Sequence, residues 1–233
     1  MLGSATLVIW YLGTALELSV VVCSVARKSF LRYFFLNLYM LLSVLTSVGR
    51  WYLILSGFGV DTDQYRYLYF YTDALLTLAL YVAVISLFAD VLGELHFAKH
   101  LRLSAVVLLL GTAAFSYSVV AQSADRLSTD FAYQLSQNLY FVGLVLTYLL
   151  WGAVLKVRET RTRLVQFILS LGLYFSACAA SYALKNFTDR YDDILKYVDP
   201  LLGCLLPLAW SLTILRHTEE TRLAPASLVV VPR

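Results

Sequence analysis

Apolar and polar residues follow one another along this chain in long blocks. Seven mostly apolar stretches approach the length of about 20 residues that a helix needs to cross the hydrocarbon core of a bilayer. They lie near residues 5–25, 33–55, 67–92, 103–121, 132–155, 164–184 and 197–215. The pattern predicts an all-α protein, with one bundle of seven transmembrane helices over residues 1–216 and a short tail at 217–233.

Charges between the stretches predict which side of the membrane each loop faces. Basic residues follow the first, third and fifth stretches, and cytoplasmic loops carry an excess of Lys and Arg. These residues are Arg27, Lys28, Arg32, Lys99, Arg102, Lys156, Arg158, Arg161 and Arg163. We therefore expect the N-terminus outside, the C-terminus in the cytoplasm, and a location in the cell membrane.

Composition agrees with a membrane protein and excludes several other classes. Of the residues, 60% are hydrophobic and 14% are charged, whereas about a quarter are charged in soluble domains. No basic residue precedes the first stretch, so we expect a permanent span there and not a cleaved signal peptide. The three cysteines lie within apolar stretches and predict no disulfide framework. The net charge of +3 comes from residues beside the stretch ends, so we expect no nucleic-acid partner.

Ionisable side chains inside the stretches mark candidate functional positions, because a charge at the bilayer centre costs about 2.5 to 3.5 kcal/mol on insertion scales. Arg50 and Asp73 lie at similar depth near the outer ends of adjacent stretches and could form an ion pair. Alternatively, Arg50 extends to the headgroups and Asp73 lies in water. Glu17 lies about 18 Å along the first stretch, where it is a candidate proton carrier or ion ligand, or a protonated carboxyl bonded to a neighbouring helix.

A second group of polar residues predicts a pocket that is open to the outside. Gln134 and Asn138 are one helical turn apart and share a face at the depth of Arg50 and Asp73. We expect the pocket to be lined by polar residues from several helices, namely Glu17, Arg50, Asp73, Gln134, Asn138, Lys185 and Asp199, together with Tyr69 and Tyr117. In the alternative, Gln134 and Asn138 make ordinary hydrogen bonds between helices.

The histidines raise the question of a metal site. His96 and His100 have i, i+4 spacing after the third stretch, and His217 follows the last stretch on the same side. A catalytic metal also needs a third ligand and supporting partners, and no local motif surrounds His217. We expect interfacial histidines, no metal and no cofactor. Because no common catalytic motif is present, we also expect a protein that is not an enzyme.

The last two stretches carry signals for helix packing. Gly172, Ser176 and Ala180 recur at intervals of four residues, a pattern that lets two helices approach closely. Pro207 removes a backbone donor from the seventh stretch and predicts a kink in that helix.

Aromatic-rich segments carry a resemblance to known proteins. They are LRYFFLNLY at 31–39, YLYFYTDAL at 67–75, ISLF at 85–88 and LAWSL at 208–212. In these segments the chain resembles an uncharacterised family of small bacterial seven-span membrane proteins and, more distantly, the seven-span sensor modules fused to some histidine kinases. The first resemblance implies the topology and a bacterial inner membrane but no activity. The second implies a role in sensing.

We therefore expect a non-enzymatic, receptor-like or sensor-like module that binds a small ligand or lipid through the outer pocket and couples to a partner. One alternative is a small transporter or channel, with a polar path through the bundle. Another is an accessory subunit of a membrane complex. The expected partners are the lipid bilayer and either another membrane protein or further copies of this chain.

Overall fold

A computed structural model describes residues 4–55, 62–92, 98–121, 127–157, 159, 161–187 and 192–217. These ranges contain seven α-helices and no strand. The helices are α1 (Ser4–Ala26), α2 (Phe34–Leu55), α3 (Asp63–Leu92), α4 (Ala98–Val120), α5 (Leu127–Val157), α6 (Thr162–Phe187) and α7 (Asp192–Arg216). Each helix overlaps one of the predicted stretches, so the predicted all-α helical bundle is confirmed.

Length and composition of the helices identify a membrane protein. Within the described ranges, six helices are long and apolar enough to cross a membrane. The apolar part of α4 is shorter, at Val106–Val120, and at 1.5 Å per residue it covers about 22 Å of a hydrocarbon core that is about 30 Å thick. Large apolar side chains such as Leu12, Val22 and Leu173 are exposed on the outside of the bundle, which suits lipid and not water. The crossing by α4 and the side that each end faces stay predictions.

Six of the helices form a closed ring. Going around it, α1 packs against α2, α2 against α3, α3 against α5, α5 against α6, α6 against α7, and α7 against α1. The fourth helix lies outside this ring, where it packs against α5 and, less extensively, against α3. The ring therefore encloses a space that α4 does not reach.

The turn after α1 shows how one of these helices ends. The Ser29 amide donates to the Ser24 carbonyl at 2.9 Å, and the Lys28 amide donates to the Val25 carbonyl at 3.0 Å. These two bonds make a Schellman motif, which places its turning residue in the left-handed region. Lys28 occupies that position with a φ of 53°. The motif stops α1 and reverses the chain, so that α2 returns beside it.

Arginines cluster at the end of the ring where α1, α3, α5 and α7 terminate. We call this the arginine end, after Arg27, Arg161 and Arg163. Arg27 donates to the Leu215 carbonyl at 3.3 Å, and Arg161 donates to the Asp90 carbonyl at 2.8 Å. Both bonds satisfy carbonyls in the last turn of a helix, which lack partners within the helix. A side-chain hydrogen bond from Arg161 to Glu159 raises the pKa of Arg161 above its ordinary value.

Arg163 is the most enclosed of the three arginines, with 4% of its surface exposed. Its guanidinium donates to the Ile214 carbonyl at 3.3 Å and to the His217 carbonyl at the end of α7. Because a guanidinium cannot lose its charge in a protein, these carbonyls provide the polar surroundings that it needs. Arg163 therefore fixes the start of α6 to the end of α7.

An aromatic layer fills the middle of the ring. Trp210 is fully buried, and its ring centroid lies 6.1 Å from that of Tyr39 and 5.9 Å from that of Phe167. The Trp210 indole N–H donates to the Ser170 hydroxyl at 2.8 Å, so its polar atom is satisfied. We call the layer formed by Tyr39, Phe167 and Trp210 the aromatic floor.

The close approach of α5 and α6 occurs at a residue that sequence analysis did not select. A Cβ atom on Gly143 would lie 2.3 Å from the Phe175 ring, so α6 packs directly on the α5 backbone there. In the predicted small-residue stripe, a Cβ on Gly172 would meet α5 at an ordinary 4.0 Å. Ser176 donates to the Gly172 carbonyl within α6, and Ala180 is exposed. Of these two glycines, Gly143 thus makes the closer contact, with an aromatic ring of α6.

Candidate functional site

A partly open cavity of about 360 Å³ lies inside the ring, in the half away from the arginine end. All six ring helices contribute to its lining, from Tyr65 near the start of α3 to Tyr39 of the aromatic floor. The polar and aromatic residues that line it include Trp10, Thr14, Glu17, Ser43, Thr46, Ser47, Arg50, Tyr69, Asp73, Tyr140, Tyr174, Cys178, Ser181, Tyr182 and Asp199. The cavity is therefore an internal space with both ionisable and aromatic walls.

Four of the polar residues selected from the sequence meet in this cavity. Glu17 comes from α1, Arg50 from α2, Asp73 from α3 and Asp199 from α7. They are far apart in sequence and are brought together by closure of the ring. The cavity also contains Tyr69, which the sequence grouped with them.

Glu17 presents its two carboxyl oxygens differently. Its Oε1 accepts a hydrogen bond of 2.6 Å from the Ser43 hydroxyl of α2. Its Oε2 is buried and has no hydrogen-bond partner among the residues that the structure describes. Since a buried carboxyl oxygen without a donor is costly, this atom suits a ligand or a proton that enters the cavity.

Arg50 connects α2 to α3. Its Nε and Nη2 atoms donate to the Thr72 hydroxyl at 3.2 and 2.6 Å, and Nη2 also donates to the Tyr69 carbonyl at 3.3 Å. The guanidinium carbon lies 4.4 Å from the centroid of the Tyr69 ring, within the range of a cation–π interaction. Arg50 therefore binds Thr72, the neighbour of Asp73, and the hypothesised ion pair with Asp73 is not among these contacts.

Asp199 forms a further link between ring helices. Its Oδ1 accepts a hydrogen bond of 2.5 Å from the Ser181 hydroxyl of α6. This bond joins α6 to α7 at the cavity wall, where the Asp199 carboxyl is part of the lining. Asp199 therefore connects the cavity wall to the packing of α6 against α7.

Gln134 and Asn138 are not among the residues that line the cavity. The Asn138 amide donates to the Ser116 hydroxyl of α4 at 2.9 Å, and the Gln134 amide donates to the Asn138 side chain at 3.5 Å. Tyr140, which does line the cavity, follows Asn138 by two residues and lies about 200° around the helix. Asn138 thus fastens α4 to the outside of α5 by an interhelical hydrogen bond, and the bond of Gln134 stays within α5.

Several other sequence-based candidates lie apart from the cavity or outside the described part of the chain. Tyr117 is exposed on α4. His96 and the side chains of His100 and Lys185 fall outside what the structure describes. His217 contributes its carbonyl to Arg163 at the arginine end. Among the described residues, no group of three His, Cys, Asp or Glu side chains is placed to hold a metal ion.

Tyrosines make up much of the wall, and sequence analysis selected few of them. Tyr39, Tyr140, Tyr174 and Tyr182 all line the cavity. The Tyr140 ring centroid lies 5.4 Å from that of Tyr182 and 6.3 Å from that of Tyr174. Tyrosines at span ends are ordinary interfacial anchors, and Tyr182 lies near such an end, but Tyr39, Tyr140 and Tyr174 lie well inside their apolar stretches. That depth was the signal that could have identified them.

Comparison with known proteins adds no further constraint. The chain matches no protein-family model, no curated protein and no solved structure. The resemblance to bacterial seven-span proteins stays a prediction, and any assignment of function depends on the geometry of the cavity.

Proposed function

We propose that this protein is a non-enzymatic, receptor-like or sensor-like membrane module that binds a small ligand in the ring cavity and passes the change to a partner. One observation carries the proposal, namely the polar cavity enclosed by all six ring helices. Its volume of about 360 Å³ lies within the range of about 300 to 1,000 Å³ that is usual for ligand pockets. That volume favours a small molecule over a whole lipid.

Packing in the other half of the ring supports ligand binding over conduction. Between the cavity and the arginine end lie the aromatic floor and fully buried aliphatic side chains, including Leu80, Leu87 and Leu171. A channel needs a continuous polar path, and a dense apolar layer interrupts such a path. A binding module needs access from one side alone.

The seventh helix provides a route from the cavity to the arginine end. Asp199 and Gly203 line the cavity, and the Ile214 and His217 carbonyls at the other end of α7 are held by the Arg163 guanidinium. Pro207 lies between these two sites inside the helix and lacks an amide donor, so α7 has a weakened point there. This arrangement supports coupling of ligand binding to a partner that contacts the arginine end.

A small transporter is the second candidate, and Glu17 is the observation that favours it. A carboxyl in the middle of a membrane helix, beside a cavity, is typical of proton- and ion-coupled transport. In that case flux into proteoliposomes would stop in the Glu17→Gln variant. Flux that is absent from the wild type across ions and small solutes would reject the transporter.

Native mass spectrometry of protein extracted gently from its own membrane tests the proposed binding. We expect a small-molecule adduct that is lost in Asp199→Asn, since that variant keeps the shape of the cavity and removes a wall charge. Asp130→Asn, an exposed position at the start of α5, is the matched control and should keep the adduct. An adduct that persists equally in both variants would place the ligand elsewhere. A stoichiometric second polypeptide without an adduct would favour the accessory-subunit alternative.

A further inference from the structure

Acidic groups outnumber basic groups in the cavity wall. Among the described residues, the lining contains three carboxyl side chains, from Glu17, Asp73 and Asp199, and one guanidinium, from Arg50. The side chain of Lys185 lies outside the described set and is not counted. Carboxylates in a space of low dielectric constant favour a cation beside them. The wall thus has the charge balance of a site for a positive ligand.

The Arg50 guanidinium already has partners on the adjacent helix, α3. Its hydrogen bonds go to the Thr72 hydroxyl and the Tyr69 carbonyl, and its face lies on the Tyr69 ring. Glu17 receives one hydrogen bond, from Ser43, and its Oε2 atom accepts none from a described residue. A donor supplied by the ligand would satisfy this oxygen.

Aromatic rings provide a second feature that suits a cation. The faces of tyrosine rings carry partial negative charge, and rings that surround a space attract ammonium groups. At the wall, the Tyr140 ring packs against those of Tyr182 and Tyr174, with centroid distances of 5.4 and 6.3 Å. The guanidinium of Arg50 on the Tyr69 ring, at 4.4 Å, shows that a ring of this wall accepts a cation on its face.

We propose that the cavity binds a small organic cation, a molecule of about the size of choline that carries one ammonium group. The inference rests on the proposed function, because it names the ligand class for the same site. The ammonium group would lie between the tyrosine rings and the carboxyl of Glu17, and the rest of the molecule would face the apolar part of the lining, such as Leu76 and Leu202. A ligand of this size fits a cavity of about 360 Å³.

A pair of probes with nearly the same shape tests the charge alone. Choline and 3,3-dimethyl-1-butanol differ chiefly in the exchange of a quaternary nitrogen for a carbon, so they separate attraction to the cation from hydrophobic fit. Binding of each probe to the full chain in nanodiscs would be measured by titration calorimetry. We expect choline to bind about tenfold more tightly or better, since one cation–π contact and one ion contact together exceed 1.4 kcal/mol.

Two variants then test whether the preference for choline depends on the Glu17 carboxyl. In Glu17→Gln, which keeps the shape of the side chain, we expect the affinity for choline to fall to that for the neutral alcohol. Asp130→Asn removes a carboxylate outside the cavity and should keep the full preference. Retained preference in Glu17→Gln would overturn the role of Glu17 as the cation's partner.

The outcomes separate this inference from the proposed function. Three results would each overturn the proposal that the ligand is a cation. They are equal affinity for the two probes, tighter binding of the alcohol, and binding of neither probe. The proposed function would survive any of these results if an adduct of another class is lost in Asp199→Asn. If the wild type showed neither a preference for choline nor any adduct that depends on the cavity, both the cation inference and the proposed function would be overturned.

Discussion

The two halves of the ring use ionisable side chains in opposite ways. At the arginine end, Arg27, Arg161 and Arg163 donate to backbone carbonyls in the last turns of α3 and α7 or just beyond them. In the cavity half, Glu17 and Asp199 instead accept from hydroxyl groups and keep their carboxyls at the wall of an open space. The first arrangement satisfies backbone carbonyls at helix ends, and the second leaves the Oε2 atom of Glu17 without a hydrogen-bond partner among the described residues.

This difference predicts a different response to substitution in each half. Groups that satisfy buried partners stabilise the protein, and their loss leaves those partners unsatisfied. Groups that are kept for binding commonly lower stability, because the free protein does not satisfy them fully. Four substitutions test this contrast, all measured as changes in the free energy of unfolding in mixed micelles.

Replacement of Arg163 by Ala should have the largest effect, a loss of about 3 kcal/mol. The side chain is 4% exposed and its charged donors satisfy the Ile214 and His217 carbonyls. Arg216→Ala, at an exposed arginine one residue before His217, is the matched control and should change stability by about 0.5 kcal/mol or less. Equal losses in the two variants would show that the buried carbonyl bonds do not hold this end together.

Gly143→Ala should come next, with a loss of about 2 kcal/mol. The added methyl group would overlap the Phe175 ring, which is 1% exposed and packs against the Tyr140 ring at a centroid distance of 6.1 Å. Gly152→Ala on the same helix is the control, because nothing lies within 4 Å of its new Cβ. We expect that control to be neutral or slightly stabilising, since alanine is the better helix former.

Trp210→Phe should lower stability by about 1 kcal/mol. The phenylalanine side chain would still be part of the aromatic floor, but the hydrogen bond to the Ser170 hydroxyl is lost. Trp151→Phe, at a partly buried tryptophan of α5, provides the comparison. A smaller loss at Trp210 than at Trp151 would contradict the importance of the floor.

Glu17→Gln should have the smallest effect on stability, within about 0.5 kcal/mol of the wild type or slightly stabilising. The amide oxygen can still accept from Ser43, and the substitution removes an ionisable group from the membrane interior. The preference for choline over the neutral alcohol should nevertheless be lost. A loss of stability as large as that of Arg163→Ala would erase the contrast between the two halves.

The helices could be predicted from the sequence because the bilayer sets a length of about 20 apolar residues for each span. The depth of a polar residue follows from the same count, which is how Gln134 and Asn138 were placed at the level of Arg50 and Asp73. The face of the helix on which a side chain lies does not follow from its depth in the membrane. Gln134 and Asn138 were therefore predicted to line the pocket because of their depth, although they lie on the side of α5 that faces α4.

The order of the helices in the ring was not predictable from the sequence for a related reason. Helix neighbours in a membrane are chosen by the shape of their surfaces, since apolar side chains meet lipid as readily as they meet one another. The contact between Gly143 and the Phe175 ring depends on such a fit. The apolar part of α4 is shorter than those of the other helices, but this length does not by itself show that α4 lies outside the ring.

The contact between α1 and α7 has a consequence for how the protein is made. The first helix emerges from the ribosome long before its neighbour α7, and the ring stays open along that seam until α7 has been made. Throughout this interval the carboxyl of Glu17 has Ser43 of α2 as a partner but no cavity around it. The addition of α7 thus completes the cavity, and we expect a chain truncated before α7 to leave the Glu17 carboxyl without this enclosure.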